Sequence, residues 1–236
     1  MKSNKQATLI MFSLILLILI ALVAVLLITK DTEKNSKKEN LLNINYEIEG
    51  NEMNLEQYKT ENPVVAMDIE GYGSIVIELY PDVAKNTVNN FISLVKSGFY
   101  DNNTFHRLVP GFVLQGGDPN GQGTGGPGYQ IKGEFSVNGY ENNLKHEEGI
   151  VSMARSSSYD SAGSQFFIML GEASYLDGQY AAFGKVIDGW NNIKRIISQE
   201  TVSNSQSGKL TRNLKINKAI VDLKGKSYPE VEKITN

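Results

Sequence analysis

The chain has 236 residues, 41% hydrophobic and 21% charged, with a formal net charge of −3. That leaves room for one domain with appendages and gives no global basic footprint for nucleic acid. Cysteine is absent and histidine occurs twice, at His106 and His146, which excludes disulfides, thiolate metal sites and a cysteine nucleophile and argues against a multi-histidine metal site.

Leu9 to Ile28 is an apolar run whose only polar member is Ser13, after a start carrying Lys2 and Lys5. Its length suits a helix crossing the hydrocarbon core of a bilayer. A secretory signal peptide shares the basic start and apolar middle, but its apolar part is shorter and ends at a small-x-small cleavage site. Here the run closes on Leu26, Leu27, Ile28, Thr29 and Lys30, so an uncleaved anchor over residues 1–28 is expected. Lys30, Lys34, Lys37 and Lys38 follow the span, and a lysine count alone would put that side inside. The short basic start argues for the opposite orientation. The expectation is a single-pass cell-membrane protein with its large domain outside the cytoplasm. Residues 29–61, rich in Asn, Glu and Lys, read as a polar tether that spans about 30 Å if flexible.

From Pro63 the texture changes. Val64 to Ile69 and Ser74 to Leu79 are β-rich runs joined by Glu70-Gly71-Tyr72-Gly73, a hairpin signal. Val83 to Ser97 predicts a helix with Val88, Phe91, Ile92 and Val95 on one face and Gly98 as its stop. Further strands are expected over Gly149 to Ala154, Gln165 to Leu170, Ala181 to Val186 and Leu214 to Leu223. A second helix is expected over Gly189 to Ser198, with Trp190, Ile193, Ile196 and Ile197 inward. Many short strands with two helices point to a closed or sandwiched antiparallel β domain. Residues 62–224 form that domain, and residues 225–236 are a C-terminal tail.

Some chemistries fail on context. Gly121 to Gly126 contains a G-x-G-x-x-G match, but loop residues flank it on both sides. A dinucleotide site needs a strand before and a helix after. No serine sits in a G-x-S-x-G elbow, and His106 and His146 read as packed or surface histidines. Asp118, Asp177 and Glu134 are carboxylates without a partner visible in the sequence, the first two in turn contexts.

Phe105 to Asp118 reads F-H-R-L-V-P-G-F-V-L-Q-G-G-D, an arginine set among apolar strand residues. Such a guanidinium meets a buried acceptor or faces a groove where a ligand supplies one. Gly163 to Ile168 reads G-S-Q-F-F-I, and Tyr175 to Val186 reads Y-L-D-G-Q-Y-A-A-F-G-K-V. Singly, such aromatic pairs and turns belong to cores. In this order and spacing the three stretches resemble the cyclophilin family of peptidyl-prolyl cis-trans isomerases over roughly residues 62–223, in a bacterial-like, membrane-anchored form.

The resemblance implies a mainly β domain: a closed eight-stranded antiparallel β-barrel capped by two α-helices, with peptide bound in an outer groove. It implies Arg107 as the catalytic arginine and Gln115 as the residue that orients it. Phe112, Val113, Phe167, Leu176 and Tyr180 would wall the proline pocket, with Tyr175 beside them. Gln165 would bond the substrate backbone, and Ala154, Arg155 and Ser156 would line the subsite before the proline. The implied partners are proline-containing, unfolded or partly folded polypeptides, with no cofactor, metal or nucleic acid. The implied activity is isomerisation of X-Pro bonds in assistance of folding; a proline-peptide binding module or chaperone with incidental catalysis is the alternative. Four positions depart from the best-known eukaryotic pattern. Tyr175 stands where a tryptophan often contacts cyclosporin, Tyr180 where a histidine is common, Val113 where a methionine is, and Arg155 where an asparagine is. The pocket stays walled, while cyclosporin binding is expected to be weak.

Overall fold

A computed structural model describes residues 45–48 and 51–235, together with Lys30. The expected membrane anchor over 1–28 and most of the tether lie outside the described residues. Among the described residues no helix is long and apolar enough to cross a membrane.

The elements run β1 (Asn45–Ile48), β2 (Asn51–Asn54), β3 (Val64–Ile69), β4 (Gly73–Leu79), α1 (Lys85–Lys96), β5 (Thr104–Val109), β6 (Val113–Asp118) and β7 (Ile150–Met153). There follow β8 (Phe166–Met169), β9 (Ala182–Asp188), α2 (Trp190–Gln199), β10 (Val202–Asn204) and β11 (Lys209–Asp222). β1 and β2 form an antiparallel hairpin of their own. The other strands are ordered β10-β11-β3-β4-β9-β7-β8-β6-β5, and β11 also pairs with β5. That last pairing, Leu214 with Phe105 and Lys215 with Thr104, closes eight antiparallel strands into a barrel. β11 can serve three neighbours because it is 14 residues long. Closure removes the open sheet edges that would otherwise recruit another chain.

Side chains alternate along each strand, so one set fills the barrel. Met67, Ile75, Ile77, Phe105, Leu114, Phe166, Ile168 and Phe183 are all buried there. α1 closes one end by inserting Phe91, whose ring lies 5.3 Å from that of Phe166 and 5.0 Å from that of Phe183. Its apolar face is Val88, Phe91, Ile92 and Val95, the predicted i, i+3, i+4, i+7 stripe. The N-terminus of α1 has no side-chain cap of its own, since Ala84 stands there. Glu134 supplies one from a distant loop: its carboxylate accepts from Asn86 N (2.9 Å), Thr87 N (2.7 Å) and Thr87 Oγ1 (2.6 Å). A carboxylate there meets both the unpaired N–H groups and the positive end of the helix dipole. The C-terminus stops at Gly98 (φ +71°), with Gly98 N bonding Val95 O and Phe99 N bonding Leu94 O. This is the glycine-terminated double bond that satisfies orphan carbonyls. α2 buries Ile193 and Ile196 and rests Trp190 and Ile197 against the same core.

Contacts extend past the expected limits of 62 and 224 at both ends. Leu55, in the expected tether, is buried with Val64, Ala66, Val76 and Ile220 on the outside of the barrel. Lys224 Nζ ties Leu55 O (2.9 Å) to the Asp222 carboxylate (2.7 Å). The expected C-terminal tail is strapped down. Tyr228 and Val231 pack on the core. Asn86 and Glu232 exchange two bonds of 2.9 Å, and Ile234 pairs with Gln130 through two backbone bonds. Apolar residues spaced among polar ones carry too little periodicity to reveal this docking in the sequence.

Candidate active site

Arg107 lies on β5, where strict alternation would send it to the same side as Phe105. The pairing of β5 with β6 shows why it does not go there. Phe105 pairs with Gly116 and Arg107 with Gln115, so His106 is an extra residue on β5; Thr104 pairs with Asp118, so Gly117 is an extra residue on β6. Such bulges re-aim side chains. Phe105 and Leu108 both face the barrel core, and Arg107 is turned out. Gly117 (φ +84°) cannot be replaced simply, since a Cβ there would lie 2.3 Å from Ser164 O.

The outward guanidinium is held on two sides. Nε donates to Ser207 O at 2.8 Å and Nη1 to Gln115 Oε1 at 3.1 Å. Gln115 Nε2 in turn donates to Gln165 Oε1 (3.1 Å), and Gln165 Nε2 donates to Gly125 O (2.9 Å). Each amide accepts on the arginine side and donates away from it, so donation runs in one direction from Arg107 to Gly125 O. The Arg107 Cζ lies 5.8 Å from the centroid of Phe112. Burial lowers the guanidinium from its ordinary value, yet arginine remains charged in proteins.

Both ends of this row are backbone carbonyls, each fixed by its own turn. Ser207 belongs to the β10–β11 turn, where Asn204 Oδ1 accepts from Gln206 N (2.8 Å) and Ser207 N (3.0 Å). Gly208 (φ +71°) brings that turn against β5, and its O accepts from Leu108 N at 2.8 Å. Gly125 belongs to the glycine loop, which is folded around Asp118. That carboxylate accepts from the N–H groups of Asn120 (2.8 Å), Gln122 (3.0 Å), Gly123 (2.5 Å) and Thr124 (2.9 Å). Burial would raise the Asp118 carboxyl; the loop N–H groups outweigh it and hold it below the ordinary range. The loop therefore wraps a carboxylate of the protein itself, which accounts for its glycines without a nucleotide.

Beside the arginine is an apolar cluster, where the proline pocket is expected. Val113, Phe167 and Leu176 are buried in one cluster, with Phe112, Ala154 and Tyr180 partly buried against it. Met169, Ala173, Ile150, Ala182, Leu144 and Val109 complete that cluster, and sequence reasoning assigned none of them to the site. Tyr180 meets Phe167 edge-on at 5.9 Å. Tyr175 is 64% exposed and stacks on Phe112 at 6.1 Å. The pocket adjoins a groove of about 780 Å³ lined in part by Gln115, Gln165, Ala154, Arg155 and Ser156. All the sequence-predicted site residues thus gather on one outer face of the barrel.

His146 lies under this pocket. Its Nδ1 is 3.1 Å from Asp177 Oδ1, its Nε2 is 3.0 Å from Ser152 Oγ, and its ring stacks on Phe167 at 6.1 Å. A serine, a histidine and a carboxylate in a row suggest a hydrolase, but Ser152 is 0% exposed beneath the pocket wall and no substrate carbonyl can reach it. The row instead supports Phe167 from behind. Burial, outweighing Asp177, lowers the His146 pKa, and burial also lowers that of His106. At neutral pH the His146–Asp177 contact is therefore a hydrogen bond of a neutral ring. The unfolded chain takes up these protons near pH 6.5 and the folded chain only at lower pH. Stability contributed by the neutral rings is complete above about pH 6.5 and declines as pH falls through the folded values, by at most about 1.4 kcal/mol per pH unit per histidine. Urea midpoints at pH 7.5 and pH 5 are expected to show this drop, and His146→Gln is expected to reduce it. Equal slopes in the two proteins would remove His146 as a source.

The model of the family "Cyclophilin type peptidyl-prolyl cis-trans isomerase/CLD" matches residues 64–221. Peptidyl-prolyl cis-trans isomerase B of Bacillus subtilis is 50% identical over 121 residues, covering 51% of this chain and 81% of the relative. A peptidyl-prolyl cis-trans isomerase of Helicobacter pylori is 46% identical over 114 residues, covering 48% of this chain and 67% of the relative. Among solved structures, a Cryptosporidium parvum cyclophilin type peptidyl-prolyl cis-trans isomerase, crystallised in the presence of the dipeptide Ala-Pro, superposes with a TM-score of 0.58 at 32% identity. It covers 67% of this chain and 98% of that one. The closed eight-stranded barrel, its two helices and the family match over residues 64–221 agree, and the chain belongs to the cyclophilin family of peptidyl-prolyl cis-trans isomerases.

Proposed function

We propose that the chain isomerises X-Pro bonds of unfolded or partly folded client polypeptides in the groove around Arg107, and so assists folding outside the cytoplasm. The observation that carries this reading is the state of Arg107. Its Nε and one Nη are already committed to Ser207 O and Gln115 Oε1. The guanidinium is thus fixed at the lip of an apolar pocket while its remaining N–H groups stay available.

The chemistry asks for little more. An X-Pro amide resists rotation because nitrogen shares its lone pair with the carbonyl, with a barrier of about 18–20 kcal/mol. Twisting removes that sharing and makes the nitrogen pyramidal and basic. A donor aimed at this nitrogen binds the twisted form better than the planar one, which is the only kind of binding that accelerates the step. Phe112, Val113, Phe167, Leu176 and Tyr180 grip the proline ring, and Gln165 holds the flanking backbone. One side of the amide is then fixed while the other turns. No bond breaks, so the residues at hand suffice. An acceleration of about 10⁵ corresponds to roughly 7 kcal/mol of selective stabilisation, within reach of an oriented, partly desolvated guanidinium plus positioning.

Full-length protein mixed with a short X-Pro peptide enriched in the cis form is expected to replace an exchange of tens to hundreds of seconds by one that scales with enzyme concentration. No acceleration at micromolar protein would sink the reading.

For location we propose a bacterial-type, membrane-anchored isomerase. The support is the apolar run from Leu9 to Ile28, with Ser13 its one polar member. Alkaline extraction should leave the intact chain in the membrane pellet, and added protease should digest the domain in spheroplasts. Release into the supernatant, or protection from the protease, would each refute one half.

A further inference from the structure

Arg155 is the sole charged side chain among the described residues that line the groove beside Gln115 and Gln165. It is also held unusually firmly for an arginine at a surface. Its Cζ lies 4.5 Å from the ring centroid of Tyr180, 5.0 Å from Tyr159 and 5.3 Å from Phe135. Nε and Nη2 both donate to Gln179 O (3.1 and 3.0 Å), and Nη1 donates to Ser156 O (2.9 Å). These bonds occupy three of the five N–H groups a guanidinium carries. The acceptors are neutral carbonyls, and among the described residues no carboxylate pairs with Arg155. Asp160, the nearest acid in sequence, has its Oδ1 engaged by Gly133 N and Asn138 Nδ2.

The result is a fixed positive charge with no carboxylate partner among the described residues, in a half-enclosed groove one ring away from the proline pocket through Tyr180. We propose that Arg155 makes this groove select peptides that carry an acidic residue in the segment preceding the X-Pro bond. The inference rests on the prolyl isomerase reading above and names the substrate class within it. The physical grounds are three. A carboxylate entering the groove gains charge-assisted bonds from the two remaining N–H groups. The aromatic faces have already immobilised the guanidinium, so little further side-chain freedom is lost on binding. The described residues that line the groove offer a competing lysine or arginine of the peptide no acid to pair with, so a basic segment gains no such bond there.

The test uses three peptides identical except for Glu, Gln or Lys two residues before the proline. Wild-type kcat/KM is expected to favour Glu over Lys by about threefold to tenfold at low salt, and the ratio should shrink as ionic strength rises. In Arg155→Gln the ratio should fall to about one, and in Arg155→Glu it should invert. Arg155→Lys, which keeps the charge but loses the fork, should retain part of it; this variant decides the matter if loss of the stacked guanidinium unfolds Arg155→Gln. A flat wild-type ratio with all three peptides turned over overturns the acidic preference alone. A Glu preference that survives in Arg155→Gln overturns the assignment to Arg155. Failure of the wild type to accelerate any of the three removes the isomerase reading together with this one.

Discussion

Replacing Arg107 by Ala is expected to lower kcat for X-Pro exchange by about 10²- to 10³-fold, with KM changed much less. The split follows from what each group touches. The pocket walls Val113, Phe167 and Leu176 form a buried cluster of their own and keep the proline ring in place without the arginine. The guanidinium matters most when the nitrogen becomes basic, so its loss falls on the step and not on the encounter. Arg107→Lys is expected to be nearly as damaging. A lysine ammonium has no planar fork, and it cannot keep both the Ser207 and Gln115 anchors while pointing a donor into the groove. Peptide exchange followed at several substrate concentrations separates the two parameters. A variant with wild-type kcat would show that Arg107 is not the group that stabilises the twisted amide.

Phe166→Ala is expected to cost about 3–5 kcal/mol of folding stability. Phe166 is 0% exposed and meets three other rings nearly edge-on: Phe91 at 5.3 Å and 87°, Tyr100 at 5.6 Å and 85°, and Phe105 at 5.7 Å and 77°. These rings come from α1, the loop after it and β5, so the truncation opens a cavity where three elements meet. Each edge-on pair adds to the loss from burial alone. The drop should appear in the urea midpoint with an unchanged slope. A loss below about 1 kcal/mol would mean that the neighbours collapse into the space.

Much of the barrel could be read from hydrophobic pattern. The expected strand over Val64 to Ile69 coincides with β3, and the stripe of Val88, Phe91, Ile92 and Val95 is the buried face of α1. Elements that rest on few apolar residues could not be read. β10 has three residues, two of them exposed, and the strap over residues 225–235 docks through scattered contacts. In the site, the side chains were legible and the backbone was not. Ser207 O and Gly125 O hold the two ends of the amide row, yet every residue has a carbonyl, and only the fold says which ones matter. The Ser207-Gly208 pair is a turn signal that could have marked the first of them. Likewise, His146 acquires its place behind Phe167 only because residues 31 apart in sequence, His146 and Asp177, meet.

Beside the two extra residues of the β5–β6 hairpin, His106 and Gly117, chain length is as binding a constraint as residue identity. Deleting the extra residue itself would leave plain alternation, with Phe105 inward and Arg107 outward, whereas losing one residue from the regularly paired part would swap inside for outside: without Leu108 the next residue, Val109, would take the inward place, and without Leu114 Val113 would do the same. Substitutions within this hairpin can therefore accumulate one at a time, but a single-codon insertion or deletion in its regularly paired part, Arg107 to Val109 or Val113 to Gln115, exchanges the roles of core and groove in one step. That part can change length only by paired events that restore the count, and the catalytic face should drift in sequence far more readily than in spacing.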